Sequence, residues 1–152
     1  MDYIVYNFLS DDELLRISNS IKEAEKTTSG EIVVSIKEKR SLTQGKKSIR
    51  TLAESEFSRL NLGNTRDKTG ILLYMVLKSK EFTVLADSGI HELVGDSAWE
   101  GIRDLLSESF KKGEFCNGII NSVRSMSEIL SKYFPIKPDD TNEISNKVII
   151  QP

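Results

Sequence analysis

The sequence predicts an α/β fold in which about four helices flank a small mixed sheet, and three observations carry that prediction. Two amphipathic helical patterns bracket a short apolar run at residues 31–36. A second apolar run at 71–77 is followed, after a charged turn, by a third at 82–86. Two further helical patterns precede a proline at position 135. Helical and strand periods that alternate in this way pack as layers around one core. At 152 residues the chain is long enough for one such core and too short for two, so residues 1–134 are read as a single domain and 135–152 as a tail.

Ser10 and Glu13 have capping-box spacing, and Leu14, Ile17, Ile21 and Ala24 fall on one stripe, which makes residues 10–28 an amphipathic helix. Ser29 and Gly30 end it, and EIVVSI at 31–36 is a buried-strand pattern. KEKRSLTQGKK at 37–47 reads first as a solvated basic loop and second as a contact for an acidic partner. Ile49, Leu52, Ala53, Phe57 and Leu60 mark the next helix, with Gly63 expected as its left-handed stop. Strand, helix and strand in succession imply a right-handed crossover and parallel pairing. The runs at 71–77 and 82–86 then form a hairpin; with Leu77 opposite Phe82, Asp67 and Asp87 leave the sheet at one edge. Asp96 is read as the N-cap of a third helix carrying Trp99, Ile102, Leu105, Leu106 and Phe110, which Gly113 breaks. Ile119, Ile120, Val123, Met126, Ile129 and Leu130 define a fourth helix that stops at Phe134 and Pro135. In the tail, the apolar run at 148–150 reads either as a free end or as an added edge strand.

Composition excludes several classes. With 21 basic and 23 acidic residues there is no overall field to attract nucleic acid or an anionic membrane. One cysteine (Cys116) and one histidine (His91) rule out a disulfide framework within the chain, a thiolate-rich zinc site and multi-histidine metal centres. The first ten residues lack the basic and apolar blocks of a secretory signal, and no run approaches the ~20 apolar residues of a membrane span, so a cytoplasmic location is expected. Neither a P-loop nor GxGxxG occurs, and nucleotide binding is not implied.

What chemistry remains lies at the open end of the hairpin. Asp67 and Asp87 converge there, Glu31 starts a strand at the same edge, and Glu92 and Asp96 follow in one loop; Gly70 and Gly89 permit close backbone approach. Carboxylates gathered in this way suit a hard cation, since like charges are costly unless a cation or proton intervenes. Taken singly, Asp67 between Arg66 and Lys68 is an ordinary turn residue, Glu31 and Glu92 are exposed, and His91 is a surface histidine. Cys116 is read as packing and Trp99 as a core anchor.

Five segments together resemble the TPM domain family, named from a thylakoid-lumen phosphatase-like protein, a photosystem II repair factor and a membrane-associated modulator. They are SGEIVVSI from Ser29, RDKTGILLYM from Arg66, ADSGIHELVGDSAW from Ala86, FKKGEFCNGI from Phe110, and YFPIKPDDTNEI from Tyr133, the last similar to the close of the short soluble bacterial members. The resemblance implies a three-layer α/β/α sandwich with a Rossmann-like look and an acidic groove for divalent cations, often calcium. It places the metal ligands at Asp67 and Asp87 and, less closely, Asp96; by their position in the chain, Glu31, Arg66, Ser88, His91 and Glu92 are the candidates for supporting or groove-lining residues. Some members are called acid phosphatases and others act in assembly or repair. Many carry a glycine-tyrosine-glycine turn where this chain has Asp87, Ser88 and Gly89, a departure that adds a carboxylate.

The function expected is therefore binding of Ca²⁺, or more weakly Mg²⁺, in a mainly binding or assembly role, with a protein partner reached through the tail. The alternative is a metal-assisted acid phosphatase acting on phosphate monoesters. That reading needs a nucleophile or activated water beside a cationic stabiliser, for which Arg66 and Lys68 supply only the charge.

Overall fold

A computed structural model describes residues 4–65, 67–136 and 148–152. The strands β1 (Glu31–Lys37), β2 (Gly70–Val76), β3 (Glu81–Ala86) and β4 (Val148–Gln151) form one sheet in the order β3-β2-β1-β4. β1 runs parallel to both β2 and β4, as the crossover between β1 and β2 requires, and β3 is antiparallel to β2. Among the described residues five helices surround the sheet: α1 (Asp11–Glu25), α2 (Ile49–Arg59), α3 (Ser88–Val94), α4 (Glu100–Lys111) and α5 (Phe115–Tyr133). The result is a three-layer α/β/α sandwich in which, among the described residues, α2 is the one α-helix on its face.

Local chemistry explains most of the boundaries. Ser10 and Glu13 form the reciprocal cap of α1, with Glu13 N–H donating to Ser10 Oγ at 3.1 Å and Ser10 N–H to Glu13 Oε1 at 3.0 Å. Ile17, Ile21 and Ala24 then turn inward against β1 and α5. Ser48 caps α2 by accepting from Thr51 N–H at 3.1 Å. Between α4 and α5, Gly113 takes φ 75°, a left-handed turn that suits glycine. β2 is buried along its whole length, so its apolar residues serve both faces: Ile71, Leu73 and Met75 toward α1, α4 and α5, and Leu72, Tyr74 and Val76 toward α2.

Several sequence expectations are corrected. The hairpin register is Met75 opposite Phe82, not Leu77 opposite Phe82; Leu77 belongs to the turn, where its N–H bonds Lys37 O at 2.9 Å. A shift of two residues keeps every side chain on its expected face. The left-handed residue after α2 is Asn61 at φ 56°, and Gly63 is not left-handed. On α2 it is Glu56 that is buried, while Phe57 is only partly so, because hydrogen bonds from Ser35 and Gln151 draw the carboxylate onto the sheet. The stretch after β3 is the additional helix α3. Asp96 makes no side-chain capping bond; it opens a 3₁₀ turn (Ser97–Trp99), and Arg103 takes its carboxylate at 3.2 Å. No helix among the described residues is long and apolar enough to cross a membrane.

Candidate functional site

Two of the carboxylates singled out in the sequence, Glu31 and Asp87, stand at the edge where β1 and β2 begin and β3 ends. Glu31 N–H bonds Thr69 O at 3.0 Å, and Asp87 N–H bonds Gly70 O at 2.9 Å, so the three strands present Glu31, Gly70 and Asp87 side by side. Against expectation, Glu31 is not exposed: it begins β1 as expected but is buried there, paired with Gly70 of β2.

Two glycines bring backbone close to this edge. A Cβ at Gly89 would lie 2.3 Å from Asp67 O and 2.5 Å from Lys68 O, so the first turn of α3 rests directly on the main chain of the loop that carries Asp67. A Cβ at Gly70 would meet Leu62 O at 2.8 Å. Lys68 itself has φ 57°, a left-handed conformation that costs a non-glycine residue ~1 kcal/mol. Its surroundings hold it there: Lys68 Nζ donates to Gly63 O, and Thr69 N–H donates to Thr65 Oγ1 at 3.1 Å. Sequence reasoning missed this brace. Thr65 and Thr69 four residues apart were its only signal, and a left-handed lysine has none.

Asp87 caps α3. Its Oδ1 accepts from Ser88 N–H at 2.7 Å, while its Oδ2 is enclosed and has no hydrogen-bond partner among the described residues. A carboxylate oxygen out of water with no donor costs on the order of 1–3 kcal/mol, so Oδ2 has the capacity to take a proton or a ligand.

The other candidates are less central. Asp67 is exposed, as are Ser88, His91 and Glu92 on or beside α3. Asp96 lies beyond α3 and is engaged by Arg103. Arg66 lies outside the described residues. Among the described residues no three His, Cys, Asp or Glu side chains are grouped as a metal's ligands, so a cation here would take main-chain carbonyls and water besides carboxylate. Cys116 is buried, its thiol pushed up by burial, and it donates weakly to Glu13 O. Trp99 is in the core. Of the tail assigned to a protein partner, residues 137–147 lie outside the described residues, and Val148–Gln151 pairs with β1.

Comparison with known proteins bears on what this edge belongs to. None of the curated proteins compared matches the chain. Among solved structures, the BA42 protein from the psychrophilic bacterium Bizionia argentinensis superposes with a TM-score of 0.84 at 34% identity, covering 94% of this chain and 95% of that one. The N-terminal domain of a protein from P. gingivalis matches with a TM-score of 0.68 at 17% identity over 84% of this chain and 79% of that one, a likeness of fold alone. A TPM domain profile matches residues 4–129, which takes in β1 to β3, all five helices but the last turn of α5, and the whole acidic edge; the chain belongs to the TPM domain family.

Proposed function

We propose that the chain is a divalent-cation-binding TPM domain with a mainly binding or assembly role, and that the cation sits against Asp87 at the amino edge of the sheet. The observation that carries this reading is the enclosed, unpartnered Asp87 Oδ2. Asp67, on the loop pressed against Gly89, supplies a second carboxylate to the same edge, and the main-chain oxygens of Asp67 and Lys68, which approach the first turn of α3, supply neutral donors. An irregular set of carboxylate, carbonyl and water oxygens suits Ca²⁺ with its six to eight ligands. Mg²⁺ demands a near-octahedron and keeps its waters, so it should bind more weakly.

Hydrolysis of simple phosphate monoesters is expected to be feeble or absent. A phosphatase must lower a barrier by more than about 20 kcal/mol through positioned groups. Here the buried Cys116 has its thiol raised by burial, and Ser88 and His91 are exposed side chains. Titration calorimetry with Ca²⁺ tests the binding reading: Asp87→Asn should weaken binding, and Asp67→Asn with Asp87→Asn should abolish it. Equal affinity of wild type and the double variant would reject the site. Phosphate release that survives repeated purification and is lost in Asp67→Asn would instead favour the enzyme.

A further inference from the structure

The opposite end of the sheet is basic, and nothing in the cation reading uses it. Beyond the last paired residues Lys37 and Val76, the chains continue side by side: Leu77 N–H bonds Lys37 O at 2.9 Å and Lys78 N–H bonds Glu38 O at 3.0 Å. This places Lys39 and Lys78 next to one another outside the carboxyl ends of β1 and β2. They line, with Arg40 and Ser79, a crevice of about 280 Å³. Open α/β sheets place ligands at that end of their strands.

The crevice wall is fixed. Arg40 Nε and Nη2 bond both oxygens of Glu81 at 2.9 and 2.8 Å, and Nη1 bonds the carbonyls of Gly45 and Lys47, which folds the basic loop back over the sheet end. The nearby acids are already engaged, Glu81 by Arg40 and the buried Glu38 by the Val5 N–H. Lys39 and Lys78 are exposed and have no carboxylate partner among the described residues, and neither do Lys46, Lys47 and Lys80 nearby. Two lysines side by side at neighbouring strand ends repel each other unless an anion sits between them.

We propose that this crevice binds a small soluble phosphoryl anion, with Lys39 and Lys78 as its two cationic contacts. Ammonium groups act as point charges toward phosphate, and two of them match a doubly charged group better than a single carboxylate. The volume lies just below the ~300 Å³ at which pockets begin to take drug-sized molecules, so the crevice suits a small anion. Among the described residues the lining has no aromatic face on which a nucleic-acid base could stack.

The test is a calorimetric titration of the whole chain with inorganic pyrophosphate in metal-free buffer, which leaves the acidic edge out of the result. Saturable binding that weakens at least about tenfold in Lys39→Gln with Lys78→Gln, and steeply with salt, is expected. Lys22→Gln, on the exposed side of α1, should change affinity less than about twofold, which separates a site from a general field. All these lysines are exposed, and an unchanged unfolding midpoint confirms that the variants fold. Absence of saturable binding, equal affinity in the double variant, or an equal loss in Lys22→Gln would overturn the proposal. Binding to phosphatidylglycerol vesicles without binding to pyrophosphate would overturn it in favour of a lipid surface.

Discussion

On the side of α1, α4 and α5 the sheet meets a continuous wall of aliphatic and aromatic side chains, whereas on the side of α2 it meets one helix of 11 residues and a set of buried polar groups. The first face is closed by Ile17, Ile21, Ile102, Leu106, Ile119 and Met126, all buried. The second carries Val33, Leu72 and Val76, but also Ser35 and Tyr74, and α2 answers them with the Glu56 carboxylate. Glu56 accepts from Ser35 Oγ, from Gln151 Nε2 at 2.6 Å and from Arg59 Nε at 2.6 Å. Burial pushes the Tyr74 hydroxyl up, with the Glu56 charge adding to the effect, and a hydrogen bond to Gln44 opposes it. A thin layer can thus bury polar groups if each finds a partner, and here those bonds join β1, α2 and β4.

The largest expected effects test the apolar part of the contrast. Leu72 and Leu73 are adjacent, both fully buried, and face opposite layers. Leu73→Ala should cost about 3–5 kcal/mol, because three helices hold the cavity open. Leu72→Ala should cost about 2–3 kcal/mol, because a single helix can settle into the space. Urea unfolding of the two variants decides it, and equal losses would show that the number of covering helices does not matter.

The polar part is tested by Glu56→Ala, expected to cost about 2–3 kcal/mol, since Ser35 and Gln151 lose a charged acceptor. Glu56→Gln keeps an acceptor and should cost less. Amide exchange in β4 should quicken in Glu56→Ala, because Gln151 ties that strand to α2. Unchanged β4 protection would show that strand pairing alone holds it.

Close packing on the thick face has its own test at Gly118 in α5, where a Cβ would lie 2.5 Å from Ser109 Cβ of α4. Alanine improves helix propensity by about 1 kcal/mol, yet the overlap should cost about 1–3 kcal/mol, so Gly118→Ala should be mildly destabilising. A gain in melting temperature would mean that α4 and α5 separate easily.

The same contrast explains what the sequence could disclose. The elements were legible because periodicity and caps are local: the Ser10 and Glu13 pair, the apolar stripes and the hairpin all act within a few residues. The common edge of Asp67 and Asp87 followed from antiparallel pairing, and close approach at Gly70 and Gly89 from the lack of a Cβ. Which face each β2 residue serves was not legible, since a strand buried on both sides shows no alternation. Nor was the burial of Glu56 and Glu31, because a charged residue is taken as exposed until its distant partner is known. α3 escaped notice because seven residues including Gly89 and exposed His91 give too short a stripe to register.

The smallest expected effect lies at the rim of the thin face, where Arg40 and Glu81 pair with side chains 22% and 32% exposed. The hydrogen bonds from Arg40 hold the Glu81 carboxyl below its ordinary value of 4.5, partly offset by burial, with Ser79 Oγ adding a further bond. A depressed carboxylate contributes stability that is present above its unfolded value and is lost as pH falls through the folded one. Solvent screening limits that contribution to less than about 1 kcal/mol. Glu81→Gln should therefore be slightly less stable than wild type at pH 7, and the difference should close as pH falls below the unfolded carboxylate range near 4. High salt should shrink it at neutral pH. A difference that stays constant down to pH 3 would mean that the Glu81 side chain works by packing, and the rim would then resemble the apolar face instead of the polar one.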